Sequence, residues 1–486
     1  MAVALMLSCL GLTSDAGAQP AAAAPVQPPL AAPLQQTPPI APKIEETPLP
    51  PKVALPPPPT VPPDVPNRPL SADEAALIAL HHQPTIIEAG AGISAAHGRT
   101  LQARSGLLPT VAVTAGYSHV ETLATETRGA PSGLGGGTVT TGGGGVTVAG
   151  YQAAGTLRQL LFDFNHTRDL VREEVALERV AAANLTRVES DLVLQVKQAF
   201  YTSVQDQALV TVNESNVRDQ QAHLALAQAR LKSGLGLPSD VVRAETVVAD
   251  AILNLTVARN NASVAQVNLT LFLGIDPRTP IQTAAAGEPA ISTNAVDALV
   301  RTALTRRPDI REFQENLRAT EHAVSAAKTT NAPALTASIS ASTRGANFPP
   351  GNDFLTVSAN IVWDPFDGGL TAGRVREARA NRVSAQAQLT GTQLAVTSDV
   401  SQAYLNLRTA EQRVTTADAE IADAQESVRL AEGRYRAGVG TFIDVTDAQA
   451  ALLTAQTNRV NAQSAVDQAR AALAHAIGAP LPAPPR

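Results

Sequence analysis

The reading turns on residues 355–369, LTVSANIVWDPFDGG. Leu355, Val357, Ala359, Ile361 and Trp363 alternate with Thr356, Ser358 and Asn360, and a period of two sends the two sets to opposite faces of a strand. Just upstream, Leu335, Ala337, Ile339 and Ala341 alternate with Thr336, Ser338, Ser340 and Ser342. Two strands of about ten residues, each with one apolar and one small polar face, have the pattern of a membrane barrel wall. The second run ends before Pro365, which cannot donate to a sheet ladder.

Beyond Gly369 the period changes. Val400, Leu407, Val414, Ile421, Val428 and Tyr435 recur every seven residues, and Ala403, Ala410, Ala417, Ala424 and Ala431 hold the other seam position. One large and one small residue per heptad lets helices approach closely. The pattern predicts a helix over 370–436, a Gly-x-Gly turn at Gly438, Val439 and Gly440, and a second helix running back to about 477. At about 1.5 Å per residue the first helix is about 100 Å long.

The unit is written twice. Pro84 matches Pro308, and Pro109 matches Pro333, at a spacing of 224. From there the spacing is 204: Phe162-Asp163 matches Phe366-Asp367, Arg230-Leu231-Lys232-Ser233-Gly234-Leu235-Gly236 matches Arg434-Tyr435-Arg436-Ala437-Gly438-Val439-Gly440, and Gly274 matches Gly478. The difference falls in the glycine-rich stretch from Gly133 to Gly145, which reads as a longer, flexible extracellular loop. A constant offset elsewhere excludes insertions, as long packed helices demand. The first copy therefore predicts a helix over 166–232 and a return to about 273. Its seam keeps Val196, Val210, Val217, Leu224 and Leu231 but turns polar at Asp206, Asn213 and Gln220, which reads as a wet face or a looser seam. Its strands are Val111 to Ser118 and a weaker candidate at 146–161 with a phase slip near Gly150. Four strands cannot close a barrel; three chains would supply twelve.

Composition agrees. Hydrophobic residues are an ordinary 44% of the 486, but aromatics are only 3%, too few for the large core of an enzyme of this size. One Cys excludes a disulfide framework and a multi-Cys zinc site. A net charge of −6 gives no support to nucleic-acid binding. The glycine-rich run lacks a following Lys-Ser/Thr and is no phosphate loop. His81-His82 is the only histidine pair, and no metal cluster, cofactor motif or nucleophile–base arrangement is readable, so no enzyme is expected.

The expected organisation is a signal peptide at 1–18, a Pro-rich disordered segment at 19–69, a first repeat at 70–277, a linker at 278–294, a second repeat at 295–480 and a tail at 481–486. Ala16-Gly17-Ala18 supplies the small residues of a cleavage site, although no Lys or Arg precedes Lys43. Cys9, after Met6-Leu7-Ser8, loosely resembles a lipidation site.

Strand pairs interrupting a duplicated set of very long helices resemble the TolC family of outer-membrane efflux proteins. The resemblance rests on Trp363-Asp364-Pro365-Phe366-Asp367-Gly368-Gly369, on Arg434-Tyr435-Arg436-Ala437-Gly438, and on Thr441-Phe442-Ile443-Asp444-Val445-Thr446-Asp447-Ala448-Gln449, and covers about 70 to 480. It implies a mainly α fold with membrane β-strands: a homotrimer with a twelve-stranded barrel in the outer membrane of a Gram-negative bacterium and an α-helical tunnel across the periplasm. It further implies passive export, driven by an inner-membrane pump through a periplasmic adaptor. A periplasmic adaptor or a coiled-coil scaffold is the alternative, but two full copies with membrane-type strands argue against both.

By the same resemblance, Asp444 and Asp447 would ring the closed end of the tunnel. Three residues apart near a helix start, they share a face, and carboxylate rings attract cations. Asp240 and Asp444 could equally favour the positive end of a helix. Tyr435 and Asp240 match positions that hold the family's closed end shut, whereas Gly440 stands where some relatives carry an Arg. Tyr435 also completes the heptad. The turns at Gly234, Leu235 and Gly236 and at Gly438, Val439 and Gly440 would dock the adaptor. Phe162, Phe164, Trp363 and Phe366 would lie at the periplasmic membrane interface or pack the junction between barrel and helices.

Overall fold

The structure is a computed structural model that describes residues 68–121, 147–284, 287–290 and 295–482. The predicted signal peptide, Cys9, the Pro-rich segment up to residue 67 and the Gly133–Gly145 run lie outside the described residues.

Helices α1 (Ala72–His82) and α2 (Pro84–Ser105) lead into strands β1 (Thr110–Glu121) and β2 (Thr147–Phe162), followed by α3 (His166–Lys232) and α4 (Pro238–Leu273). The order then repeats as α5 (Val296–Arg306), α6 (Pro308–Thr329), β3 (Ala334–Gly345), β4 (Asn352–Val362), α7 (Leu370–Arg436) and α8 (Phe442–Ala476). The two longest helices have 67 residues each, α2 and α6 have 22 each, and α4 and α8 have 36 and 35. Both 67-residue helices have the bounds that the heptads predict.

The long helices pack in pairs, α3 with α4 and α7 with α8. Val400, Ala403, Leu407, Ala410, Ala417, Ala424, Val428 and Tyr435 of the α7 seam are buried. The return helices carry a seam of their own that the sequence reading did not identify. Ala244, Ala251, Ala258 and Ala265 of α4 are buried at every seventh position, as are Ala448, Ala455 and Ala462 of α8. Side chains this small let backbones come close over many turns. In α3, Gln220 is buried and accepts no void: its Nε2 donates to Asn216 Oδ1 at 3.1 Å.

The repeated Phe-Asp pair has a local cause. Where β2 gives way to α3, Asp163 Oδ2 accepts the Thr167 N–H at 2.7 Å; where β4 gives way to α7, Asp367 Oδ2 accepts the Thr371 N–H at 2.7 Å. Each aspartate satisfies an amide that the first helical turn leaves unpaired. The backbone takes positive φ at Phe164 and Asn165 in one copy and at Gly368 and Gly369 in the other.

The four strands form one antiparallel sheet in the order β1-β2-β3-β4. Register places Val111, Leu157, Ile339 and Val357 in one row across it, and Thr156, Ser340 and Thr356 in the next. Opposed residues share a face, so the sheet has one apolar and one polar side. The register runs without a break through Gly150; the irregularity lies between Leu160 and Phe162, not near Gly150 as the sequence pattern predicts. A bulge there offsets one residue and brings Phe162 opposite Leu335, on the apolar side. Among the described residues, the outer edges of β1 and β4 have no partner strand.

Helices α4 and α8 end at Gly274 and Gly478, with φ of +72° and +66°. A Cβ on Gly274 would lie 2.8 Å from the carbonyl carbon and oxygen of His82, so the glycine seats the chain against the end of α1. Gly234 has a similar φ of +75°, but a Cβ there would meet nothing within 4 Å. Both Gly→Ala changes carry the strain of the left-handed region, on the order of 1 kcal/mol, and only Gly274→Ala adds a collision. Gly274→Ala is expected to lower the thermal unfolding temperature of the purified protein clearly more than Gly234→Ala; equal shifts would refute the packing role.

Candidate functional site

The matched sequence motifs converge at the tips of the two long hairpins. The α3–α4 turn and the α7–α8 turn each place a glycine at positive φ, Gly234 and Gly438. The second glycine of each turn serves another purpose. A Cβ on Gly236 would lie 2.8 Å from Leu231 N, and one on Gly440 would lie 2.9 Å from Arg434 Cβ. Gly440 is thus fixed by the closeness of its own turn, which has no room for a side chain. At the crest of each turn a large apolar residue faces outward, with Leu235 73% and Val439 71% exposed.

Just behind the crests, Tyr435, Phe442, Val445, Ala227 and Ala244 form a small buried cluster that joins the two hairpins. The rings of Tyr435 and Phe442 lie 5.6 Å apart. Tyr435 Oη donates to Asp240 Oδ2 at 3.4 Å, long for a bond between oxygens. Burial, and then the Asp240 charge, push the Tyr435 phenol above its ordinary range. The predicted pair therefore meets, but the stronger tie is one that sequence reasoning missed. Arg230 Nη1 donates to the carbonyls of Tyr435 at 2.8 Å and Arg436 at 3.2 Å, and its guanidinium lies 4.6 Å from the centre of the Tyr435 ring. A cation that caps the last carbonyls of a helix gains from both the hydrogen bonds and the helix dipole. The matched Arg230 and Arg434 were the available signal, and it gave no role.

Asp444 and Asp447 differ in their surroundings. Asp444 belongs to a capping box: its Oδ2 accepts the Thr441 N–H at 3.0 Å, and Thr441 Oγ1 accepts the Asp444 N–H at 3.2 Å. The Thr441 amide holds the Asp444 carboxyl below its usual range. Asp447 is exposed and makes no hydrogen bond or ion pair among the described residues. In the first copy, α4 begins at Pro238 without a side-chain cap, leaving Asp240 turned to Tyr435.

Further back along the seam, His223 of α3 meets Gln449 of α8 at 3.0 Å and Glu432 of α7 at 3.6 Å. Midway along α3, Lys197 bridges Glu288 at 2.6 Å and Asp73 at 2.8 Å, and Tyr201 Oη donates to Glu288 Oε2 at 2.6 Å. These ties fasten the segment between the repeats to α3.

The aromatic residues occupy both ends of the sheet. At the helical end, Phe162 packs on Phe164 with centroids 4.8 Å apart, and Trp363 and Phe366 are exposed, Phe366 at 89%. At the other end lies a second group, not foreseen from the sequence: Tyr117, Tyr151 and Phe348, with successive centroids 5.0 and 5.6 Å apart. About ten residues of β2 separate the groups. At about 3.3 Å per residue and a tilt of about 40°, that spans about 25 Å, the height of the apolar band on a membrane barrel. No helix among the described residues is long and apolar enough to cross a membrane.

A family model described as outer membrane efflux protein matches residues 77–275 and 299–479. The chain is 28% identical over 395 residues to protein CyaE of Bordetella pertussis, covering 80% of this chain and 79% of that one. It is 27% identical over 311 residues to the pyoverdine export outer membrane protein OpmQ of Pseudomonas putida, covering 62% of this chain and 65% of that one. The solved structure of the outer-membrane channel OprN superposes with a TM-score of 0.73 at 20% identity, over 85% of this chain and 91% of that one.

The tip geometry ranks its contacts. A charge-assisted bond at 2.8 Å contributes about 1.5–3 kcal/mol, and one stretched to 3.4 Å much less. Arg230→Met is expected to speed amide exchange at Gly438, Val439 and Gly440 roughly tenfold, whereas Tyr435→Phe changes it little. The reverse order, measured by hydrogen–deuterium exchange, would reject Arg230 as the main tie.

Proposed function

The chain belongs to the outer membrane efflux protein family, and from that premise we propose that it forms the outer-membrane duct of a tripartite efflux or type I secretion system. The strands lie in the outer membrane and the helices in the periplasm. Three copies would close a twelve-stranded barrel above a helical tunnel, and substrates would pass without chemistry, delivered by an inner-membrane pump through a periplasmic adaptor. The observation that carries this reading is the sheet: apolar on one side, polar on the other, open at both edges and attached to two hairpins about 100 Å long. The polar side suits a watery lumen, and the apolar side suits lipid.

In this reading the hairpin tips are the periplasmic end. Leu235 and Val439 offer exposed apolar points for an adaptor. Tyr435, Asp240 and Arg230 hold the two hairpins of a chain together, which keeps the end narrow. An export signal cleaved after Ala18, or in its place lipidation at Cys9, belongs to the same proposal as the route to the membrane. Phe162, Trp363 and Phe366 would anchor the barrel at its periplasmic rim, and Tyr117, Tyr151 and Phe348 at its outer rim.

The carboxylates of the closed end divide their labour. Asp444 commits its Oδ2 to the helix cap, whereas both oxygens of Asp447 are open, so Asp447 is the freer ligand for a cation on the axis. The purified protein should form trimers that conduct ions in planar bilayers, and a monomer without conductance would overturn the duct. Asp447→Asn is expected to weaken block by multivalent cations several-fold, and Asp444→Asn to weaken it less. Block unchanged in both, and in the double variant, would reject the ring.

A further inference from the structure

The two copies of the repeat share their main helix contacts, but the two extensive contacts that α3 makes with the other repeat have no match on α7. Helix α2 packs on α3 as α6 packs on α7, and α1 on α3 as α5 on α7. Helix α3 also packs along α6 and α8 of the other repeat, whereas α7 meets α4 only at the tip, through Tyr435 with Asp240 and Ala244, and does not pack along α2 or α4. Exposed apolar residues stand on the faces left over. On α4, Leu253, Val257, Val264, Val267 and Leu271 are exposed along one stripe, with Val257 at 51%, and on α7 Leu405 is exposed at 62%.

The sequence offsets convert each contact of α3 into a contact of α7 that the chain cannot make with itself. Ser464 Oγ donates to the Tyr201 carbonyl at 3.3 Å; the equivalents are Asn260 on α4 and Leu405 on α7. Arg230 donates to the carbonyls of Tyr435 and Arg436; the equivalents are Arg434 and the carbonyls of Leu231 and Lys232. Arg434 makes no hydrogen bond or ion pair among the described residues, and its charge acts on Asp444 of its own chain from beyond contact distance. The Leu231 carbonyl accepts the Gly234 N–H at 3.0 Å, just as the Tyr435 carbonyl accepts the Gly438 N–H at 3.1 Å, so each keeps a lone pair for an arginine.

We propose that α7 of one copy of this chain docks on α4 of the next, and that its Arg434 clamps the last carbonyls of that neighbour's α3. The proposal rests on the trimeric reading above and adds the residues and chemistry of the joint. Arginine clamps then alternate around the tip, one within each chain from Arg230 and one between chains from Arg434.

The two kinds of seam differ along their length. Within the chain, Gln205 bonds Asn461 at 2.8 Å, and Asp191 pairs with His475 at 2.9 Å. The equivalent pairs between chains are Thr409 with Val257 and Ala395 with Leu271, which cannot form those bonds. The joint between copies lacks those bonds along the shaft and gains a polar tie at the tip, where Arg434 acts. Breaking the clamp would free the tips of neighbouring chains and leave the shaft joined.

The test uses the full-length protein in outer membranes. Leu405→Cys combined with Asn260→Cys, treated with a short bismaleimide, should give covalent dimers and trimers, and either single variant should give none. Arg434→Met should raise the conductance of the resting channel several-fold, while Arg434→Lys, which keeps a donor, should raise it less. A trimer by native mass that gives no cross-link, or Arg434→Met with wild-type resting conductance, overturns this joint and leaves the duct standing. Absence of any oligomer overturns both.

Discussion

Everything in this molecule answers to one constraint: a sheet whose two outer edges have no partner among the described residues of their own chain. β1 and β4 run for 12 and 11 residues, and a bilayer offers no water to satisfy their open amides and carbonyls. Each unpaired group in hydrocarbon costs several kcal/mol, so the edges add up to far more than a domain's net stability. Closure with other strands is the only inexpensive solution, and the alternating directions of four strands let β4 of one copy meet β1 of another in the antiparallel sense.

The helices then inherit the geometry of that closure. Each hairpin of the sheet feeds a helix of the same length, so both tips arrive at the same depth. Equal length is what the constant spacing of 204 encodes, and it is why insertions are confined to the strand loop. Alanine at every seventh position of α4 and α8 sets the separation of the pairs. Wider side chains there would splay the tips and separate Arg230 from the carbonyls that it reaches.

The long helices were legible because heptads are a one-dimensional signal, and their bounds follow from the period and the glycine turns. The strand pair was legible from alternation, since its two faces meet different solvents. What the pattern could not carry was the position of the bulge, because Leu160, Leu161 and Phe162 are all apolar and give no phase. At the tip, Tyr435 and Asp240 were legible through resemblance. Arg230 was not, because its partners are backbone carbonyls, which leave no trace in the identity of the residues that own them. The split between Asp444 and Asp447 was hidden for a similar reason: it depends on Thr441 standing where a cap is needed, whereas Leu237 stands in the other copy.

The scarcity of aromatic residues has the same root. A solid core rewards large rings because it has volume to fill, but a wall one helix pair thick has little. Here alanine seams fill that role, and the few rings stand where their shape is needed: at the two rims of the sheet, in the Phe200 and Tyr201 contact at 5.5 Å that closes the core around α1, and in the Tyr435 and Phe442 contact at the tip. Each of those places is an end or a junction, where helices or strands must stop sliding past one another. A ring locks a junction because it meets several elements at once, and a methyl group permits long parallel contact because it meets one. The composition is therefore that of a wall, held at its joints by aromatic and charged side chains and along its length by alanine.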